Sequence, residues 1–229
     1  MTKQPKFERL ELVIGKDNLK DLSNKTVLVL GCGGVGGYTI ESLVRSNIGK
    51  IIIVDNDVVD ESNINRQIIA LNSTIGKYKV DVFKKRIKDI NSNCKVKTIK
   101  EFITKDNIDI LFKEHIDYFV DACDTLETKK EVIKECINRN IKLISSMGTG
   151  NKLDPSKLKI TTLDKTEYDP IAKILRKYCR DNKINKKITV LCSTERPIKT
   201  NSRVVGSTSF VPSSAGLLIT SYIIKDLIK

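Results

Sequence analysis

Thr26-Val27-Leu28-Val29-Leu30-Gly31-Cys32-Gly33-Gly34-Val35-Gly36-Gly37 is the stretch that decides how this chain folds. The first five residues, β-branched or apolar, read as a buried strand over 26–30. Gly31, Gly33 and Gly36 then fit the spacing G-x-G-x-x-G, and residues 38–46 read as a helix. A second strand is expected over 50–55. Its apolar run ends in Asp55, 19 residues after Gly36. Glycines allow a backbone to approach a phosphate closely, and a helix N-terminus supplies free N–H groups and a positive dipole end. Asp55 would accept hydrogen bonds from ribose hydroxyls.

That order is the layout of a Rossmann-type nucleotide site, and the neighbouring sequence extends it. Val80, Phe83, Ile87 and Ile90 fall at helical spacing on one face of a helix over 74–91, with Lys84, Lys85, Arg86 and Lys88 elsewhere. A strand over 95–100, a short helix capped by Thr104 and running to Phe112, and a strand over 118–123 follow. Next come a helix over 125–138, with Val132, Ile133, Cys136 and Ile137 inward, and a strand over 141–146. Strands alternating with helices predict an α/β fold, a Rossmann-like, mostly parallel sheet with helices on both faces.

The texture changes after Gly150. A strand over 158–163, a basic helix over 171–180 started by Asp169-Pro170, and a strand over 188–192 are expected. A mobile loop over 196–208 and a final helix preceded by Pro212 complete the chain. One domain is expected over 1–229. It comprises an arm (1–24), a nucleotide-binding core (25–150) and a C-terminal extension of mixed strands and helices (151–229).

The net charge of +13 points to a polyanionic partner, and its distribution sharpens this. Residues 1–150 hold 25 Lys and Arg against 21 Asp and Glu, whereas residues 151–229 hold 16 against 7. Nucleic acid is expected in preference to a membrane surface. The start, Met1 to Lys6, has no apolar run behind it. The run from Ala215 to Ile224 is too short and too polar to span a bilayer, so a cytoplasmic protein with no stable membrane insertion is expected. The six cysteines, Cys32, Cys94, Cys123, Cys136, Cys179 and Cys192, form no C-x-x-C pair. They read as reduced thiols, with no structural zinc.

Three features beyond Asp55 have no evident use in hydride transfer and disfavour a nicotinamide-dependent dehydrogenase. They are Asn63-Ile64-Asn65-Arg66-Gln67, Gly76-Lys77-Tyr78-Lys79-Val80 and Asp121-Ala122-Cys123-Asp124. Taken singly, an Arg or Lys in so basic a chain is a solvated side chain, and Asp121 makes local hydrogen bonds. Taken in order behind one glycine turn, they read as a triphosphate site. Arg66 and Lys79 would neutralise phosphate oxygens and Asp124 would hold Mg²⁺.

The combination resembles the HesA/MoeB/ThiF superfamily of adenylating enzymes, related to ubiquitin-activating enzymes. The likeness runs through Gly31-x-Gly33-Gly34-x-Gly36, Asp55, Asn63-x-x-Arg66-Gln67, Gly76-x-x-Lys79-Val80 and Asp121-x-x-Asp124. The resemblance implies that these positions, together with Asp57, bind ATP and Mg²⁺ without NAD. It further implies that they promote attack of a carboxylate on the α-phosphate. Phe7-Glu8-Arg9 followed by Gly15 resembles the superfamily's N-terminal arm, which implies a homodimer in which Arg9 acts in trans. A bound Na⁺ or K⁺ and a sulfur-transfer or cysteine desulfurase partner are further expectations of the resemblance.

Ser145 to Pro155, Arg196-Pro197-Ile198-Lys199 and Gly206 to Gly216 resemble one branch, the bacterial tRNA threonylcarbamoyladenosine dehydratases. This implies ATP-driven adenylation of a threonyl carboxylate next to the anticodon, then ring closure by the neighbouring carbamoyl group with loss of AMP. No cysteine nucleophile is needed, with Cys192 the one thiol set in the basic region. Lys173, Arg176, Lys177, Arg180, Lys186, Lys187 and Arg196 are the expected tRNA-facing residues. The alternative is adenylation of the C-terminal glycine of a ubiquitin-like sulfur carrier, whose activating enzymes commonly hold zinc through two C-x-x-C pairs.

Overall fold

The structure is a computed structural model and describes residues 5–228. Met1 to Gln4 and the terminal Lys229 lie outside the described residues. The arm forms two short helices, α1 (Glu8–Ile14) and α2 (Lys16–Leu22), joined at Gly15. The core then alternates as expected: β1 (Thr26–Leu30), α3 (Gly34–Arg45), β2 (Lys50–Val54), α4 (Lys79–Ile90) and β3 (Lys95–Ile99). It continues through β4 (Tyr118–Asp121), α5 (Leu126–Asn138) and β5 (Lys142–Ser146). The remainder is β6 (Leu158–Thr162), α6 (Pro170–Asp181), β7 (Thr189–Ser193) and α7 (Phe210–Leu227).

Seven strands form one sheet in the order β3-β2-β1-β4-β5-β7-β6. Every pairing is parallel except that of β6 with β7. β1 therefore lies between β2 and β4, and the direction of winding reverses there. In open α/β sheets that reversal opens a crevice at the carboxyl ends of the strands.

The two-residue period of the strands builds two separate layers. Val27, Val29, Ile51, Ile53 and Val120 point to one face, against α3, α4 and α7. Leu28, Leu30, Ile52, Val54 and Phe119 point to the other, against α5 and the turn at Ile108–Phe112. Each such side chain, fully buried, contributes about 1.5–3 kcal/mol. α7 lies directly on α3: a Cβ on Gly216 would stand 2.4 Å from the Val35 carbonyl oxygen, so only glycine admits this approach. The Thr220 hydroxyl donates to the Thr39 carbonyl across the same seam, at 3.3 Å.

Several element ends differ from the sequence reading. α3 starts at Gly34, four residues before the expected position, because the glycine run is itself the first helical turn. α4 starts at Lys79 instead of residue 74. Gly76, at φ +80°, and a bridge between Val58 and Tyr78 hold the preceding residues in turns. The strand expected to reach Cys123 ends at Asp121. Thr104 starts no helix; a 3₁₀ turn over Ile108–Phe112 stands in its place. Pro212 lies inside the first turn of α7, where its missing N–H costs nothing. Among the described residues no helix is long and apolar enough to cross a membrane.

Candidate active site

β1 runs straight into Gly31, whose φ of +92° suits glycine and few other residues. Space demands glycine at Gly36 as well: a Cβ there would stand 1.8 Å from the Gly31 carbonyl oxygen. The turn delivers the chain to the start of α3, where no side chain caps the free N–H groups. An uncapped helix N-terminus is an anion-binding site in waiting.

Asp55 follows β2 and braces this turn. Its carboxylate accepts the Cys32 N–H at 2.6 Å and the Asp57 N–H at 2.9 Å. Burial raises its pKa, opposed by the nearby Lys79 ammonium and by these two N–H donors. Lys79 opens α4, and its backbone N–H donates to the Asp57 carbonyl at 3.0 Å. Its side chain is only 6 % exposed and its ammonium reaches Asp57 Oδ2 at 2.8 Å. This lysine is therefore no solvated surface group; two bonds to one residue aim it at the turn.

The segment between β2 and α4 brings in the third cluster. Asp60 caps a short turn over Glu61–Asn63 and leaves Asn63 and Gln67 buried. The Arg66 guanidinium donates to the Ser62 carbonyl at 2.9 Å and to Asn65 Oδ1 at 2.7 Å. Gln67 Oε1 is buried with no hydrogen-bond partner among the described residues, and the Gln67 amide lies beside Gly33. A buried amide oxygen without a donor is costly unless something else supplies one.

These three clusters meet at one cleft of about 750 Å³ at the crevice between β1 and β4. It gathers Gly31, Gly33, Gly34, Asp55, Asp57, Asn63, Arg66, Gln67, Lys79 and Asp124. Gly36 stands behind its wall. Asp124 lies exposed past the end of β4, and among the described residues nothing hydrogen-bonds or ion-pairs with its carboxylate. No group of three or more His, Cys, Asp or Glu able to hold a metal occurs among the described residues. A magnesium ion at Asp124 would thus take its other ligands from phosphate oxygens and water, the usual arrangement for that ion.

The sequence reading missed Lys129. This residue of α5 is 1 % exposed, yet it lines the cleft. Its ammonium donates to Asp121 Oδ2 at 3.0 Å and to the Ser146 carbonyl at 2.9 Å. The Ser145 hydroxyl donates to the same Asp121 oxygen at 2.6 Å. One buried ion pair thereby ties the ends of β4 and β5 together beneath the site. The sequence did hold a cue, since Lys129, Val132, Ile133 and Cys136 share one helical face.

The opposite wall comes from residues 147–150 and 205–207. The Gly148 N–H donates to Asp169 Oδ2 at 2.9 Å, while Asp169 Oδ1 caps α6 through the Ala172 N–H at 2.8 Å. The Gly148 carbonyl takes the buried Lys152 ammonium at 3.0 Å. Asn151 closes the irregular loop: it accepts the Gly206 N–H on Oδ1 at 2.7 Å and the Ile198 N–H on its carbonyl at 2.7 Å.

The basic residues are spread along α6 and beyond. Lys173 and Lys187 are exposed, Lys177 pairs with Asp181 at 2.6 Å, and Arg180 stands 3.9 Å from the same carboxylate. The Arg176 guanidinium donates to Thr166, and Lys186 reaches Asn140 at 3.0 Å near the amino ends of the strands. Only the start of α6 adjoins the cleft, so these groups do not converge on it. Arg9 sits exposed on α1, outside the cleft.

No cysteine is set as a nucleophile. Five of the six thiols are buried, Cys192 among them. Burial pushes the thiols of Cys32, Cys123 and Cys192 upward and that of Cys94 to about 11. Near pH 8 they stay protonated and unreactive. Iodoacetamide at pH 8 is therefore expected to label the native chain at least ~10-fold more slowly than the urea-unfolded chain, followed by intact mass. Fast labelling of a single native thiol would contradict this.

Comparison with known proteins fits the geometry. The model of the ThiF family matches residues 7–212. The chain belongs to the ThiF family. Within it, the chain is 45% identical to a tRNA threonylcarbamoyladenosine dehydratase of Bacillus subtilis, over 97% of its own length and 94% of the relative's. The fold is similar to that of the E. coli tRNA N6-threonylcarbamoyladenosine dehydratase TcdA solved with AMP. The TM-score is 0.93 at 31% identity, covering 97% of this chain and 94% of that one. The same E. coli enzyme solved with ATP matches with a TM-score of 0.93, over 97% of this chain and 93% of that one.

Proposed function

We propose that this chain is an ATP-dependent tRNA threonylcarbamoyladenosine dehydratase. The observation that carries the reading is the single cleft that gathers an uncapped helix N-terminus, Arg66, Lys79, an unpaired Asp124 and the donorless oxygen of Gln67. Such a set suits a nucleoside triphosphate whose α-phosphate is attacked, and the nearly full-length likeness to two such dehydratases supports the choice of substrate.

In this reading residues 25–150 hold ATP and residues 151–229 face the tRNA. Asp55 and Asp57 take the ribose side, the glycine turn, Asn63, Arg66 and Lys79 surround the phosphates, and Gln67 turns its oxygen to a hydroxyl or amino donor of the nucleotide. Asp124 holds Mg²⁺, which neutralises phosphate charge when bound. A threonyl carboxylate oxygen attacks the α-phosphorus, and the bond to the β-phosphate breaks with release of pyrophosphate. A nitrogen or oxygen of the carbamoyl group then attacks the acyl carbon. The acyl–oxygen bond breaks, AMP leaves with the electron pair, and the attacking group gives up its proton. Adenylation is needed because a carboxylate is a poor electrophile, and the second step gains from being intramolecular.

A homodimer with Arg9 reaching the partner's phosphates, a bound monovalent cation, a sulfur-transfer partner and a cytoplasmic location complete the proposal. Such a role is supported by the exposure of Arg9 on a helix that buries none of its residues. Leu12 and Val13 on the same helix are more than 80 % exposed.

The test is direct. The chain is incubated with ATP, Mg²⁺ and tRNA carrying threonylcarbamoyladenosine, and the digested nucleosides are weighed by mass spectrometry. The expected result is a modified nucleoside lighter by one water, formed only with ATP. An unchanged nucleoside, together with AMP transfer to a carrier protein, would replace this reading by the alternative.

A further inference from the structure

Among the described residues Tyr168 has the least expected backbone. Its φ is +53°, a conformation that bulky side chains rarely adopt. Among the described residues the other non-glycine positions with positive φ are three asparagines and Lys183, which follows the end of α6. Burial does not explain the strain, because Tyr168 is 48 % exposed. Such outliers persist where their surroundings impose them, and they gather at functional sites.

The surroundings here are the cleft wall. The next residue, Asp169, is buried and bonded to Gly148 and to the start of α6. Gly148 and Ile171 both line the cleft. Over the Tyr168 ring lies the Arg196 guanidinium, 4.7 Å from the ring centroid. Arg196 comes from the loop that Asn151 clasps and that lines the cleft at Val205 to Ser207. Two segments that adjoin the same wall thus present an exposed ring with a guanidinium over its face.

A ring and a guanidinium plane are the two surfaces on which unpaired bases of RNA stack. We propose that Tyr168 and Arg196 form a stacking platform for an unpaired nucleobase of the RNA, adjacent to the nucleotide that reacts. The proposal rests on the dehydratase reading for its ligand. It assigns a binding role to a strained tyrosine that the adenylation chemistry does not use.

The strain supplies the test, because glycine relieves it while removing the ring. Binding of a fluorescent anticodon stem–loop RNA to the full chain is read by anisotropy at fixed salt, beside ATP affinity and thermal melting. Tyr168→Gly is expected to bind this RNA about tenfold more weakly, with unchanged ATP affinity and a melting temperature no lower than wild type. Tyr168→Phe is expected to bind within about twofold of wild type. The proposal is overturned if Tyr168→Gly binds the stem–loop like wild type, or if wild type does not bind it. It is also overturned if the loss is equal for a fully paired hairpin, which would mark a phosphate contact. Because binding is read without turnover, a wild-type chain that binds the RNA but removes no water would sink the dehydratase reading alone.

Discussion

Asp121→Ala is expected to destabilise the chain by about 3–5 kcal/mol, the largest stability effect of any single side chain considered. The replacement strands the Lys129 ammonium at 1 % exposure with no counter-charge. It also leaves the buried Ser145 hydroxyl without its acceptor. Removing one member of a buried pair is far worse than removing both, because the lone charge keeps its full desolvation cost. The double replacement Asp121→Leu with Lys129→Met is therefore expected to recover most of the loss. Urea unfolding of both variants measures this. A single variant within about 1 kcal/mol of wild type would contradict the reading, and so would a double variant no better than the single. Total stabilities of such domains are about 5–15 kcal/mol, so the single variant is expected to be partly unfolded at 37 °C.

Lys79→Met separates chemistry from folding. Its aliphatic stem stays buried, and its partner Asp57, with a side chain 59 % exposed, is free to be hydrated. Stability is expected to change by no more than about 1 kcal/mol. The ammonium, by contrast, is a buried cation whose charge acts on Asp55 and on Cys32 in the turn. Removing a preorganised charge from a developing negative centre slows catalysis by about 10²–10³-fold. ATP–pyrophosphate exchange in the presence of modified tRNA is expected to fall by that factor, while the melting curve barely moves. Undiminished exchange would show that Lys79 only braces Asp57.

Local features were legible in the sequence and long-range ones were not. The strands were readable because buried β-branched runs such as Ile51–Val54 have few other uses. The turn was readable because Gly31 and Gly36 answer to contacts only their own spacing creates. The start of α3 was misplaced because glycine is a poor helix former. Here tertiary contact with Gly31 and Ala122 overrides propensity. Periodicity located the inward face of α4 but not its first residue, which depends on a bridge between Val58 and Tyr78. Lys129 was passed over because charge is read as exposure, although its partner Asp121 lies only eight residues before it, at the end of the preceding strand. The antiparallel direction of β6 leaves no mark on composition at all.

The seam between α7 and α3 bears on the order in which the site is assembled. The glycine turn is made early in synthesis, yet Pro212 lies against Gly34 and is part of the cleft lining. Gly216 meets Val35 one turn further on. The brace at the mouth of the site therefore belongs to a helix synthesised after every strand of the sheet. A nascent chain that has made only its nucleotide-binding core still lacks one wall of its own catalytic cleft.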